Sequence, residues 1–257
     1  MPMKPGNFAW YDLMTSDTNA AAIFYKDVIG WDAKEAGVGD RPYTIFSMGP
    51  ANIGGLMPIP EEASAGGAKP CWTGYILVDD VDVYTERVKA AGGTVYRAAE
   101  DVPGVLRFSV VGDPHGAAFV LFKGMSEMPP VELAPEASGN IGWHELHAGD
   151  RASAFAFYSG LFGWTETQAM DMGPLGIYQI FATGDAAVGG MMTKMPDSPT
   201  PFWLFYFNVD AINDAIARTV KGGGKVCMGP HEVPTGQWIV QCTDPQGAWF
   251  AMVSWNR

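Results

Sequence analysis

A carboxylate and an imidazole stand two residues apart in the second half of this chain, at Glu145 and His147. The surrounding segment, residues 141–147, alternates in a way that predicts a β-strand, so both side chains should point to the same face. A carboxylate beside a histidine can orient the imidazole, which then takes up and returns a proton near neutral pH. The same pair can equally be a hydrogen-bonded structural element. The spacing fits both interpretations.

The other histidines and the cysteines predict no second reactive centre. His144 lies on the opposite strand face, His115 in a turn and His231 in a loop, and we expect all three to be surface or turn residues. The three cysteines are odd in number and contain no CxxC pair. We therefore expect neither a disulfide framework nor a cysteine-based zinc site.

Aromatic side chains accompany the acidic ones on the predicted strands. Because alternate strand residues share a face, Trp143 should join Glu145 and His147, and Trp10 should lie with Asp12. Large aromatic residues at such positions most often belong to the core. An aromatic lining with a few polar groups is also typical of a small-molecule pocket. On that interpretation the candidate ligand-binding residues are Trp10, Asp12, Tyr75, Trp143, Tyr206 and Trp249.

The chain carries the same sequence pattern twice. The opening segment GNFAWYDLMTSDTNAAAIFYKDVIGW aligns with GNIGWHELHAGDRASAFAFYSGLFGW, which places Trp10 opposite Trp143. The aligned segments are 6–31 with 139–164, 43–57 with 178–192, and 70–122 with 201–253. Agreement in the same order over nearly all of both halves predicts two tandem copies of one domain.

The amino-acid composition of the segment between the two copies indicates where the first copy ends and the second begins. Residues 126–138 are rich in Pro, Glu and Ala and show no periodicity, which predicts a linker. We therefore expect domain 1 at residues 1–125, a linker at 126–138 and domain 2 at 139–257.

Each copy contains the elements that would position these residues. The opening strand leads to an aspartate at a helix N-cap, Asp17 or Asp150, and the helix ends at Gly30 or Gly163. Two short strands follow, and then the plan repeats. A strand leads through a second aspartate into a helix that closes on Gly-Gly, and the last strands are joined by an Asp-Pro-x-Gly turn. Each copy is therefore predicted as β-α-β-β-β twice.

The second helices depend on the aspartates at the ends of the preceding strands. In the first copy this residue is Asp79, and in the second it is Asp210. We expect the chain to pass from the strand through that aspartate into the helix.

These motifs together resemble the vicinal-oxygen-chelate superfamily, which includes glyoxalases, bleomycin-resistance proteins and extradiol dioxygenases. The helix-ending FY-x₄-GW motif, the Gly-Gly helix end and the Asp-Pro-x-Gly turn occur in both copies. The resemblance implies an α+β fold of two tandem domains, in which paired βαβββ modules form curved mixed sheets around a cleft that usually holds a metal. It implies no single reaction, because the superfamily carries isomerisation, ring cleavage, thiol transfer and drug sequestration.

The resemblance also implies where metal ligands should stand, and this chain has unsuitable side chains there. The corresponding residues are Trp10, Gly55, Thr73 and Val120 in the first copy and Trp143, Gly190, Leu204 and Ala251 in the second. Divalent ions in such sites need His, Glu or Gln donors, and Thr73 is at best a weak ligand. We therefore predict no metal and no other cofactor, with a divalent metal on displaced ligands as the alternative.

Composition argues against several classes of partner. The net charge of −12 with scattered basic residues disfavours nucleic acid. No apolar run approaches the roughly 18 residues of a membrane span, and the N-terminus lacks the layout of a signal peptide. We expect a cytoplasmic globular protein without nucleic-acid or membrane partners. We expect its two copies to pack on each other as an internal pseudo-dimer. A homodimer of the whole chain is left open. A further alternative is that the fold serves assembly alone.

Besides assembly, the sequence is compatible with two functions. The first is a metal-free protein that binds a small aromatic or hydrophobic molecule in one or both clefts. The second is an enzyme, either a glyoxalase-type lyase or a ring-cleaving dioxygenase, with displaced metal ligands and with Glu145 and His147 as catalytic residues. The second copy is the better candidate for activity, because the first copy has Asp12 and Met14 at the same positions.

Overall fold

The computed structural model describes residues 4–37, 42–125 and 133–257. The first copy contains β1 (Phe8–Thr15), α1 (Thr18–Ile29), β2 (Asp32–Glu35), β3 (Thr44–Met48), β4 (Ala51–Pro58), α2 (Glu61–Ala65), β5 (Cys71–Leu77), α3 (Val81–Ala90), β6 (Thr94–Val102), β7 (Leu106–Gly112) and β8 (Ala118–Gly124). The second contains β9 (Ile141–Ala148), α4 (Arg151–Phe162), β10 (Thr165–Asp171), a 3₁₀ turn (Gly173–Leu175), β11 (Ile177–Thr183), β12 (Ala186–Thr193), β13 (Phe202–Asn208), α5 (Ile212–Lys221), β14 (Lys225–Glu232), β15 (Trp238–Thr243) and β16 (Trp249–Ser254).

The strands form two eight-stranded mixed sheets, one for each copy. The strand order is β2-β3-β4-β1-β5-β8-β7-β6 in the first and β10-β11-β12-β9-β13-β16-β15-β14 in the second. The pairs β1–β4, β5–β8, β9–β12 and β13–β16 are parallel, whereas the outer strands pair as antiparallel hairpins. Each sheet thus joins two β-α-β-β-β modules. The predicted α+β fold of two tandem domains with curved mixed sheets is confirmed.

The predicted ends of the first helices are also confirmed. Asp17 accepts a hydrogen bond from the Ala20 amide at 2.9 Å, and Asp150 accepts one from the Ser153 amide at 2.8 Å. Such N-caps satisfy amides that have no partner within the helix. Gly30 ends α1 in the left-handed conformation (φ 94°), as its counterpart ends α4.

The second helices begin one residue later than the sequence predicts. Asp80, not Asp79, caps α3 by accepting a hydrogen bond from the Val83 amide at 3.0 Å. In α5 the N-cap is Ala211, which follows Asp210 and has no side chain to bond the helix. Two consecutive aspartates, 79 and 80, made the first of these positions ambiguous.

Three elements have no clear signal in the sequence. All four side chains of β2 are exposed, and β10 has only one that is not, so neither strand shows apolar alternation. The short helix α2 buries none of its residues. The two strands form because β3 and β11 offer backbone partners, which periodicity does not detect.

Compact packing divides the chain differently from the repeat. Among the described residues, one unit comprises 4–10, 73–125 and 143–203. The other comprises 11–37, 42–72, 133–142 and 204–257. Each unit therefore contains one module from each copy, and the two copies share both cores. The exact boundaries of the sequence domains stay a prediction, and residues 126–132 of the expected linker lie outside the described residues.

Buried polar contacts join modules of different copies within each unit. In one unit, the Tyr25 hydroxyl of α1 donates to Asp244 in the Asp-Pro-x-Gly turn of the second copy at 3.2 Å. The same hydroxyl accepts a hydrogen bond from the Trp72 indole at 2.8 Å. Burial raises the pKa of Tyr25 well above its usual value, and the nearby Asp244 carboxylate adds to this shift. The Phe-Tyr motif therefore stabilises a core that both copies build.

No helix among the described residues is long and apolar enough to cross a membrane.

Candidate functional site

Strand β9 carries the acidic and imidazole side chains that the sequence singles out. Glu145 and His147 are 6% and 8% exposed. Their side chains lie on the same face, because His147 Nε2 is 2.8 Å from Glu145 Oε1. The predicted pairing of the two side chains is confirmed, and it takes place in a buried environment.

A tyrosine from β11 completes this arrangement. Tyr178 donates its hydroxyl proton to Glu145 Oε2 at 3.0 Å and accepts a hydrogen bond from Trp143 Nε1 at 2.7 Å. An indole nitrogen can only donate, so the hydroxyl proton of the tyrosine is directed to the carboxylate. We call Trp143, Tyr178, Glu145 and His147 the Glu145 network. Sequence reasoning missed Tyr178, although the repeat aligns it with Tyr43.

The Glu145 network requires a glycine on the neighbouring strand. β9 and β12 are parallel, with Gly190 directly opposite Glu145. A Cβ atom at position 190 would overlap the ring of Tyr178. The tyrosine can therefore reach the carboxylate only because the strand has no side chain there.

The imidazole of His147 has a fixed orientation. Its ring stacks on Phe202 with 4.6 Å between ring centroids and 2° between planes. With a carboxylate as the partner of Nε2, the proton of the neutral ring is assigned to Nε2, which leaves Nδ1 as an acceptor. The site thus presents an oriented base next to a carboxylate.

The first copy has the same carboxylate and tyrosine but lacks the imidazole. Tyr43 donates its hydroxyl proton to Asp12 Oδ1 at 2.8 Å, and Asp12 is 4% exposed. Gly55 stands opposite Asp12 on β4, where a Cβ atom would overlap the Tyr43 hydroxyl. Met14 takes the position of His147. The two copies therefore share a carboxylate–tyrosine pair and differ in the titratable group beside it.

The other predicted ligand-binding residues have local environments of their own. Tyr206 is buried, and its hydroxyl accepts a hydrogen bond from Gln241 at 2.9 Å. The half-buried Tyr75 ring contacts Phe122 edge-on at 5.8 Å. Trp249 is 42% exposed, and Trp10 is half-buried. Their role in ligand binding stays a prediction.

The expectation that His144 is a surface residue is wrong. Its ring is 8% exposed, stacks on Phe8 at 4.4 Å and donates through Nδ1 to the Val188 carbonyl oxygen at 2.7 Å. Both faces of this strand are covered, so alternation gave no sign of an outward side. His115 is exposed in its turn as expected, and His231 is exposed but lies in β14 instead of a loop.

The buried His144 should make stability depend on pH. Burial lowers the pKa of His144 to about 4, partly opposed by the hydrogen bond to Val188. In the unfolded chain the imidazole takes up its proton near pH 6.5. The buried neutral ring therefore contributes its full stabilisation to the folded protein above that pH, and this contribution is lost as the pH falls towards 4. We expect the wild-type protein to lose about 1–2 kcal/mol more stability than His144→Gln between pH 7.5 and 5. Urea unfolding at both pH values measures this, and equal losses would contradict the burial of a neutral imidazole.

Comparison with known proteins identifies the superfamily to which this fold belongs. A model of the Glyoxalase/Bleomycin resistance protein/Dioxygenase superfamily matches the chain twice, over residues 7–121 and 140–252. The chain belongs to this superfamily. The two matches coincide with the two copies of the repeat, so the resemblance drawn from the motifs is confirmed.

Several members of the superfamily are similar along nearly the whole chain. CFP32 of Mycobacterium bovis, named as a candidate glyoxylase, is 32% identical over 253 residues, covering 97% of this chain and 95% of its own. The anthracycline biosynthesis protein DnrV of Streptomyces peucetius is 32% identical over 265 residues, covering 97% and 93%. The Mn(II)-bound glyoxalase of Novosphingobium aromaticivorans superposes with a TM-score of 0.66 at 16% identity, covering 99% and 83%. This last likeness concerns the fold alone.

The positions that the resemblance assigns to metal ligands carry side chains that are poor donors for a divalent ion. At the corresponding positions of the second copy, Trp143 offers only an N–H donor and Gly190 no side chain, while Leu204 and Ala251 are aliphatic. The space beside Gly190 is taken by the ring of Tyr178. In the part of the chain that the structure describes, no group of three or more His, Cys, Asp or Glu residues could hold an ion.

Proposed function

We propose that this chain binds a small aromatic or hydrophobic molecule without a metal, and that the Glu145 network is the polar anchor of the second copy. The observation that carries the proposal is a buried carboxylate held by Tyr178 and His147 at 3.0 and 2.8 Å. Binding sites for small molecules combine such oriented polar groups with apolar and aromatic walls.

The strand register supplies the apolar walls. Residues directly opposite one another on neighbouring strands point to the same side of a sheet. Met170 is opposite Tyr178, Ile180 is opposite Gly190, and Met192 is opposite His147. The side chains on this face that are only half-buried are Trp143, Met170, Tyr178, Ile180 and Met192. A ligand can therefore reach both the apolar side chains and the indole edge.

The relatives support an aromatic ligand. One protein that is 32% identical along almost its whole length is named for anthracycline biosynthesis, and anthracyclines are aromatic compounds. Methionine and aromatic side chains suit flat ligands, because the thioether is polarizable and adapts its shape.

A titration with 1,4-dihydroxyanthraquinone tests the proposal. This flat molecule offers hydroxyl groups that can donate to a carboxylate, and calorimetry reports its Kd. We expect Glu145→Gln to weaken binding roughly 10–100-fold, the effect of losing a hydrogen bond to a charged group of about 1.5–3 kcal/mol. Glu166→Gln removes the same charge from an exposed position on β10 and serves as the control. Absence of binding to the wild-type protein, or an unchanged Kd in Glu145→Gln, would refute the proposal.

A metal-dependent lyase or ring-cleaving dioxygenase with displaced ligands is the second candidate. It is favoured by the glyoxylase name of CFP32, which is similar along 97% of this chain. Elemental analysis of protein purified without chelator separates the two candidates. Near-stoichiometric Mn, Fe, Ni or Zn that is lost in His147→Ala would establish this alternative in place of the metal-free site.

A further inference from the structure

The polar side-chain hydrogens of the Glu145 network are all used inside it. The indole N–H of Trp143 donates to the Tyr178 hydroxyl at 2.7 Å, and that hydroxyl donates its single proton to Glu145 Oε2 at 3.0 Å. With its proton on Nε2, the neutral imidazole of His147 donates to the other oxygen of the same carboxylate at 2.8 Å. The side chains of the network therefore have no N–H or O–H left to offer a ligand.

The second ring nitrogen of His147, Nδ1, is an acceptor that a ligand can reach. Within the part of the chain that the structure describes, the imidazole forms its hydrogen bond through Nε2 alone. Nδ1 is not one of the fully buried polar atoms that lack a partner in this part of the chain, so it is open to solvent. The side chain as a whole is 10% exposed. The polar group that His147 presents outside the network is thus an acceptor.

Neighbouring side chains fix the direction of this acceptor. The imidazole is held by stacking on Phe202, with 4.6 Å between ring centroids, and by the hydrogen bond to Glu145. These two contacts prevent the ring from turning, so Nδ1 keeps one orientation. The half-buried Met192 stands directly opposite His147 on β12 and points to the same side of the sheet. The acceptor therefore lies on the face that carries the apolar walls.

We infer that the second copy selects aromatic molecules with a ring hydroxyl, which donates its proton to His147 Nδ1. This inference rests on the proposed function and narrows its ligand class to phenols. An O-methylated ring has no proton to give and would leave the Nδ1 lone pair unpaired inside the complex. Sites that hydrogen-bond a ligand hydroxyl reject analogues without it for this reason. The first copy has Met14 at this position, whose thioether is a weak acceptor, so the selectivity belongs to the second copy.

Binding of 2-naphthol and of its methyl ether, 2-methoxynaphthalene, to the whole chain tests the inference. By calorimetry we expect the wild-type protein to bind 2-naphthol roughly tenfold more tightly, the effect of one hydrogen bond in a closed site. His147→Gln keeps an N–H donor about as far along the side chain as Nε2 but removes the acceptor at Nδ1, so this preference should fall roughly fivefold or more. His231→Gln makes the same exchange at an exposed histidine of β14 and should keep the full preference.

The outcomes separate this inference from the proposed function. Equal affinities of the two naphthalenes for the wild-type protein, tighter binding of the ether, or an undiminished preference in a folded His147→Gln variant overturns the selectivity for phenols. The wild-type comparison decides by itself if thermal unfolding shows that His147→Gln is not folded. If 1,4-dihydroxyanthraquinone binds and neither naphthalene does, the inference is overturned, since one ring hydroxyl should suffice, and the proposed function stands. If none of the three compounds binds, both are refuted.

Discussion

Replacing Gly190 with alanine is expected to destabilise the protein by about 3 kcal/mol, the upper range for overpacking a tightly packed site. The added Cβ atom would overlap the Tyr178 ring. That ring cannot turn aside, because its hydroxyl is bonded to both Trp143 and Glu145. The backbone cannot yield either, since β12 lies between β9 and β11 in the sheet. Urea unfolding measures the loss.

A double-mutant cycle identifies the cause of this loss. If the overlap with Tyr178 is responsible, Gly190→Ala should cost little in a Tyr178→Ala background, giving a coupling energy of about 2 kcal/mol. Gly160→Ala is the matched control, because a Cβ atom there meets nothing within 4 Å. Gly160 lies in the last turn of α4, so the change should stabilise the protein by at most about 0.5–1 kcal/mol. Additive effects of the two substitutions would contradict the placement of the tyrosine over the glycine.

Replacing Trp164 with alanine is expected to cost about 3–5 kcal/mol, the range for removing a large buried aromatic side chain. The indole is 1% exposed and stacks on Tyr158 at 5.1 Å and on Phe181 at 4.5 Å. Its Nε1 donates to the carbonyl oxygen of Gly6 at 2.8 Å, a contact between the end of α4 and the start of the first copy. Chemical denaturation of Trp164→Ala against wild type gives the loss directly.

Two further variants divide this cost into its parts. Trp164→Phe keeps an aromatic ring but removes the N–H donor, so it should cost less than Trp164→Ala while leaving the Gly6 carbonyl without that bond. Trp31 makes the reciprocal contact, with its Nε1 2.8 Å from the carbonyl oxygen of Gly139. We expect Trp31→Ala to resemble Trp164→Ala within about 1 kcal/mol. A loss below about 1 kcal/mol for either alanine variant would show that the tryptophan is not a core contact.

The anchor residues of the candidate site were only partly accessible from sequence. Glu145 and His147 could be paired because alternate strand residues share a face over a distance of two positions. Tyr178 could not, since it reaches Glu145 from 33 residues away and from a strand two places along in the sheet. The alignment of Tyr178 with Tyr43 was the signal that the sequence offered. Its importance is evident only in the structure, where the Tyr178 ring lies against Gly190.

The sequence by itself determined the features that act over short distances. The caps at Asp17 and Gly30 and the turns depend on neighbouring residues, and the repeat can be seen by aligning the two halves of the chain. Together they predicted the fold and the superfamily. The tertiary structure decided which module packs on which, and hence the shared cores, the burial of His144 and the carboxylate–tyrosine pairs. Such choices depend on packing between segments far apart in the chain, where several partners satisfy the same local pattern and shape selects among them.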